Sequence, residues 1–390
     1  METKYQLIIL GSSEKYISDV KKCFFRRLKD LGINDDSISI LTDKNFKLYS
    51  GNAPSCCLYF GNEQKSKHID LLERLIKDAT FIIPIVADLG NINILIPEQL
   101  RMINAFELRD ENDIEALVSC ILESFSLLRI SRRIFVSYKR SESSAAAIQI
   151  YEQLEKSGFD VFLDTHSIRP GEIFQEELWH RLADSDVVVL LDTPGFLQSE
   201  WTRDELAKAN SMSIGIMQLI WPTNKKEAEA ALSKSLKLET GNFRYCKQHC
   251  INSKFKKSTL ESIVSQIESL RARSLASRQD TLTTEFISFA SNCNLKTSLQ
   301  YEKWILLKSN SGKEAVIIPT IGVPQAFTYY QYKDLKRKIE NENIPIYLLY
   351  DHRNIKEKWM EHLSWLDSYL PVKSIKITDV EGWLEAWQKK

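Results

Sequence analysis

Trp201 and Glu205 stand four residues apart in a stretch, residues 200–210, that reads as a helix. That spacing sets an indole and a carboxylate on one helix face. Tyr138, Lys139 and Arg140 follow the apolar run IFVS, and Asp164 and Asp192 close two more runs, FDVFLD and DVVVLLD. Clefts in open α/β sheets lie beyond the carboxyl ends of the strands, so these residues converge on one cleft. An indole can stack on a planar ring, a carboxylate can stabilise positive charge, and cations can neutralise phosphate. Other chemistries find less support. Cys246, His249 and Cys250 invite a zinc ion, yet no second Cys/His pair completes four ligands. His166 and His180 have no paired nucleophile, which disfavours a triad. No glycine-rich dinucleotide fingerprint is present. Phe162 and Phe174 read as core or cleft wall, with Phe174 kept as a candidate substrate contact.

The elements that position these residues form three α/β segments. The first, residues 1–128, has strands at 5–11, 37–41 and 81–86 and helices at 14–31, 67–78 and 112–128. The second, residues 131–222, alternates strands at 133–138, 159–164, 186–192 and 214–221 with helices of about 12 residues, which implies βαβ crossovers and a parallel sheet. Residues 223–283 read as a mostly helical connector. In the third, residues 284–390, strands are expected at 314–322, 344–351 and 372–379, with helices at 328–342, 354–369 and 380–389. Trp359, Trp365, Trp383 and Trp387 recur there at helical spacing, which favours core packing over a partner surface. The turn at Gly322, between Pro319 and Pro324, reads as structural, with a small-ligand site as the alternative.

The second segment resembles a Toll/interleukin receptor (TIR) domain. IFVSYKR (134–140) looks like that family's opening box, and FDVFLDTHSIRPGE (159–172) is similar to its second box with the BB loop. ADSDVVVLLDTPGFLQSEWTRDELAKA (183–209) resembles its fourth strand and following helix. The resemblance implies a flavodoxin-like, five-stranded parallel sheet. Many members cleave NAD at the nicotinamide–ribose bond, with a glutamate four residues after a tryptophan. Glu205 and Trp201 fill those places, so the resemblance implies that Glu205 is catalytic. Tyr138, Lys139, Arg140, Asp164, Phe174 and Trp201 are then the candidate substrate contacts. NAD would be a substrate, with no resident cofactor. Its leaving group is a cationic pyridinium that departs neutral, so no general acid is needed, unlike at a glycoside with two carboxylates. One carboxylate suffices to stabilise the oxocarbenium-like ribose. Family members pair through the BB loop, here Ile168, Arg169, Pro170 and Gly171, which implies a homo-oligomer and activation by assembly. A role in anti-phage defence is likewise implied by the resemblance alone. The rivals are a non-catalytic TIR scaffold and a nucleoside or nucleotide N-glycosidase.

The 390 residues carry 52 basic and 52 acidic side chains, so no global field holds nucleic acid or an anionic membrane. No apolar run approaches a transmembrane span, and METKYQLIIL is too short for a signal peptide core. Seven irregularly spaced cysteines point to reducing cytosol, and a cytoplasmic location is expected. One further pattern spans two segments. Shifting DSDVVVLLDTPGFLQSEWTRDEL (184–206) back by 106 residues lays it over DATFIIPIVADLGNINILIPEQL (78–100) without a gap, with Glu205 on Gln99 and Trp201 on Leu95. Either residues 1–128 form a degenerate TIR-like domain, or two flavodoxin-like sheets share an apolar strand pattern.

Overall fold

The structure is a computed structural model. It describes residues 5–11, 14–51, 53–63, 65–125, 127–163, 174–196, 207, 209, 212–222, 224, 233–245, 251–300, 302–333, 339, 341 and 343–389. The chain divides into two units, residues 1–130 with 261–272, and residues 131–260 with 273–390.

In the first unit five parallel strands run β1 (Tyr5–Gly11), β2 (Ile38–Leu41), β3 (Ser55–Phe60), β4 (Phe81–Val86) and β5 (Phe106–Glu107), in the order β2-β1-β3-β4-β5. Residues 5–10 of β1 are buried throughout, as expected of a strand covered on both faces. Leu72 and Leu75 of α2 (Ile69–Lys77) pack on one side with Leu10, Cys57 and Tyr59. Elsewhere Phe125, which ends α3 (Ile114–Ser124), packs its ring against Tyr5 and against Phe24 of α1 (Glu14–Asp30). Two buried guanidinium groups tie helices together. Arg27 of α1 donates to Glu115 of α3 at 2.7 and 3.0 Å. Arg271, fully buried, donates to Glu123 at 2.7 Å and to the Arg129 carbonyl at 2.5 Å.

Gly11 ends β1 with φ +89°, and a Cβ there would overlap the Phe60 carbonyl of the neighbouring strand. Both features demand glycine. Gly11→Ala is expected to cost roughly 1–3 kcal/mol, read as a lower denaturant midpoint.

The strand order corrects the gapless register between the two segments. That register lays β8, third in chain order within its sheet, on β4, which is fourth within its own. By rank and position β8 corresponds to β3, and β9 to β4. Buried parallel strands all read as apolar runs, so the pattern cannot distinguish neighbours.

The second unit opens with another parallel sheet: β6 (Arg133–Ser137), β7 (Asp160–Leu163), β8 (Val187–Asp192), β9 (Gly215–Ile220) and β10 (Ser233–Lys237), ordered β10-β9-β8-β6-β7. Helices α4 (Arg140–Lys156) and α5 (Phe174–Asp184) follow β6 and the 164–173 segment. Strand β10 falls in the stretch expected to be a helical connector. Its sequence SKSLK carries one apolar side chain, which hides it, yet it pairs in parallel along β9 as an edge strand. Further strands occupy the same stretch. A short antiparallel pair, β11 (Phe243–Tyr245) and β12 (Lys254–Phe255), closes over Trp221 through rings 4.9–5.9 Å apart. From Lys257 the connector is helix, the 36-residue α6 (Lys257–Asn292).

A third sheet follows in sequential order: β13 (Lys296–Leu299), β14 (Ile305–Lys308), β15 (Glu314–Thr320), β16 (Ile346–Tyr350) and β17 (Val372–Lys376). The first two joints are antiparallel and the last two parallel. One face packs on Leu282 and Phe286 of α6 and on Leu384 and Trp387 of α9 (Val380–Lys389). The other face carries Tyr329 of α7 (Ala326–Lys333) and Leu363 and Leu366 of α8 (Glu357–Tyr369). Trp383 and Trp387 thus join the core, while Trp365 is 58% exposed. Among the described residues no helix is long and apolar enough to cross a membrane.

Candidate functional site

In the β6–β10 sheet the chain leaves β6 toward β7 on one side, and returns to β8 on the other. The carboxyl ends of β6 and β8 therefore flank the topological switch point, where α/β sheets open a crevice. Tyr138 and Lys139 follow β6 directly, and Lys139 precedes the first turn of α4. The segment Thr193–Gly195 follows β8.

The two strand ends are joined by a residue that the sequence reading did not single out. Glu142 accepts from Lys139 Nζ at 2.6 Å and from the Gly195 N–H at 3.0 Å. Burial alone would raise its carboxyl, but the hydrogen bonds from Lys139 and the Gly195 N–H hold it below the ordinary range. A Cβ on Gly195 would overlap both Lys139 Nζ and the Glu142 carboxylate, so glycine here admits the pair. The only sequence signal for this clamp is the Lys–Glu spacing of three, which is common on exposed helices. Asp192 is fully buried. It accepts from Gln218 at 2.8 Å and from Asn224 at 2.6 Å, and so ties the end of β8 to β9. Tyr138 is 6% exposed, and its buried hydroxyl has no hydrogen-bond partner among the described residues. Arg140 opens α4 and is exposed.

Tyr138 and Lys139 thus stand just past the carboxyl end of β6, beside the switch point. Phe174 begins α5, though its side chain lies outside the described residues. Asp164, Ile168, Arg169, Pro170, Gly171, Trp201 and Glu205 lie outside them too, as do His166, Cys246, His249 and Cys250. Phe162 is core: it stacks on Phe135 at 5.3 Å. Among the described residues no group of three or more His, Cys, Asp or Glu could hold a metal ion. The five described cysteines, 23, 56, 57, 120 and 293, are in no disulfide.

Helix α5, which follows the BB-loop segment in sequence, is held from Glu177 onward by α6 and by residues among the third sheet's elements. Glu177 pairs with Lys356 and with Arg181, and Asp184 accepts from the Val323 N–H at 2.9 Å. Arg278 of α6 donates to the Ala183 and Ser185 carbonyls at 3.1 and 2.8 Å. His180 stacks on Trp359 at 5.4 Å and is 4% exposed. Burial depresses its pKa, with Arg181 and Lys356 adding to the depression and Asp184 and Glu177 opposing it. The folded state therefore favours neutral His180. Its contribution is fully present above the unfolded value, about 6.5, and is lost as pH falls through the lower folded value. Melting temperature is expected to decline with acid below about pH 6.5, and His180→Phe should flatten that decline.

Comparison with known proteins gives one family match: the TIR domain profile covers residues 134–239. No curated protein matches the chain significantly. Among solved structures, a protein of Silicibacter pomeroyi DSS-3 provisionally named a phosphosugar isomerase aligns at 9% identity, covering 75% of this chain and 88% of that one, with a TM-score of 0.20. A score that low carries no argument about fold or function. The family match runs past residue 222, the boundary expected from sequence, and takes in β10, the fifth strand that a flavodoxin-like sheet requires. On the profile match and the 2-1-3-4-5 strand order together, residues 134–239 are a TIR domain.

Proposed function

We propose that this TIR domain is an NAD glycohydrolase that cleaves the nicotinamide–ribose bond. The observation that carries the reading is the Trp201/Glu205 pair, placed by sequence inside the matched domain on the segment that follows β8. Glu205 stabilises the cationic ribose as neutral nicotinamide leaves, and Trp201 stacks against a planar ring of the substrate. Tyr138 and Lys139, at the crevice end of β6, border the space the dinucleotide would occupy. Arg140 and Asp164 are assigned supporting contacts. Assembly through Ile168–Gly171 switches the enzyme on, because unchecked loss of NAD is toxic. The family resemblance supports a defence role, and the free buried cysteines fit a reducing cytoplasm.

The rival reading, a scaffold that catalyses nothing, draws on one observation. Lys139, a candidate substrate contact whose charge could neutralise phosphate, is already paired with Glu142 at 2.6 Å. Incubating concentrated full-length protein with NAD, NADP and free nucleosides, and following products by mass spectrometry, separates the readings. Nicotinamide with ADP-ribose or its cyclic form supports the glycohydrolase. Release of a base from nucleosides alone assigns a nucleoside glycosidase. No turnover, even when the protein is crowded into oligomers, assigns the scaffold.

A further inference from the structure

A pocket open to solvent, enclosing about 50 Å³, lies beyond the carboxyl ends of β15 and β16 in the second unit. It is remote in sequence from the β6/β8 crevice, and its position is where parallel strands present ligand sites. Thr320 and Gly322 close one side, Asp351 and Arg353 the next. Helix α6 supplies Arg278, Thr281 and Glu285, and the TIR domain supplies Met212 and Ser213. Gly322, which the sequence marks as a turn, has φ +76° and lets the chain bend away from the pocket floor.

The charge of the lining is balanced and fixed. Arg278 is 9% exposed and anchored on two carbonyls, so its guanidinium is pre-positioned. Arg353 grips Asp351 through Nε at 2.8 and 3.0 Å and through Nη2 at 2.5 Å. Burial raises the Asp351 carboxyl, but the hydrogen bonds from Arg353 outweigh it and keep it charged. Glu285 adds a second carboxylate from α6. Two cations and two anions line one small space. Both signs stand on each side, so a ligand of single sign would meet like charge wherever it lay, while a ligand with both signs can set each of its charges against an opposite one. Leu282, Ile321 and Met212 add a short apolar wall suited to a few carbons.

We propose that this pocket binds a small zwitterion of amino-acid size, its carboxylate facing Arg278 and Arg353 and its ammonium facing Asp351 and Glu285. Such a ligand would touch Met212 and Ser213, on the segment that leads from the stretch bearing Glu205 into β9. That segment is tied to α6 by Ser274, which accepts from the Gly215 N–H at 2.9 Å and donates to the Ser213 carbonyl at 3.2 Å. The binding proposal does not depend on NAD turnover.

The test is binding to the full chain, by melting-temperature shift and calorimetry. The probes are the complete set of protein amino acids, with inorganic phosphate, putrescine and ribose as controls for anion, cation and neutral hydroxyls. At least one amino acid is expected to raise the melting temperature saturably, and the controls are not. Asp351→Asn removes one charged partner, and Thr281→Trp blocks the mouth from an exposed helix position. Each is expected to weaken binding about tenfold or more. The proposal is overturned if no amino acid binds, if phosphate or putrescine binds as well as the best amino acid, or if both variants bind as the parent does.

Discussion

Glu205→Gln is expected to lower the rate of nicotinamide release at least about a hundredfold while leaving the melting temperature within a degree or two of the parent. The amide matches the carboxylate in size and hydrogen-bonding reach, so positioning is retained. What it lacks is the negative charge opposite a ribose that turns cationic as nicotinamide departs. Preorganised charge aimed at the transition state is commonly the largest single catalytic contribution, of order a hundred- to a thousandfold per group. The fall should appear in kcat, with little change in KM, because the ground-state contacts survive. Trp201→Ala should instead raise KM, since the stacking acts on bound substrate as well. Nicotinamide release by mass spectrometry, with circular dichroism as the folding control, decides it. Full activity in Glu205→Gln would place the chemistry on another group.

Arg271→Ala is expected to destabilise the first unit by about 3–5 kcal/mol. The guanidinium is fully buried and satisfies both Glu123 and the Arg129 carbonyl. Its removal empties a fully buried site and takes from the Glu123 carboxylate and the Arg129 carbonyl a charged donor at 2.7 and 2.5 Å. The cost combines that lost charged hydrogen bonding with the cavity left behind. The double variant Arg271→Met with Glu123→Leu should therefore recover most of the loss, since an apolar pair replaces the ionic one without stranding a charge. A chain of two units need not unfold in one step, so the readout is hydrogen exchange of the α3 amides against denaturant. A loss under 1 kcal/mol in the single variant would contradict the account.

How much of this was legible in the residues depends on what each segment buries. The apolar runs of β1, β4, β6, β8 and β9 announce themselves, because a strand covered on both faces has no reason to alternate. Strand β3 sits at the centre of the first sheet and was missed. SCCLYF is short, and two cysteines weaken its β-strand signature. The hairpin β13–β14 was missed because KTSL is mostly exposed and reads as a loop. The Trp201/Glu205 pair was legible only through the ordered boxes around it, since the spacing alone is commonplace on helices. The Glu142 clamp was not legible at all. It depends on a loop after β8 meeting a helix after β6, residues 53 apart in the chain.

The edge strand SKSLK has a practical consequence for anyone cutting the protein apart. A fragment ending at residue 222 would leave the backbone of β9, six fully buried residues, open along one side. Unpaired strands of that kind invite pairing with other chains and precipitate. Extending the fragment through residue 239 restores β10, whose Lys234 and Lys237 give the outermost strand two positive charges that discourage stacking of copies.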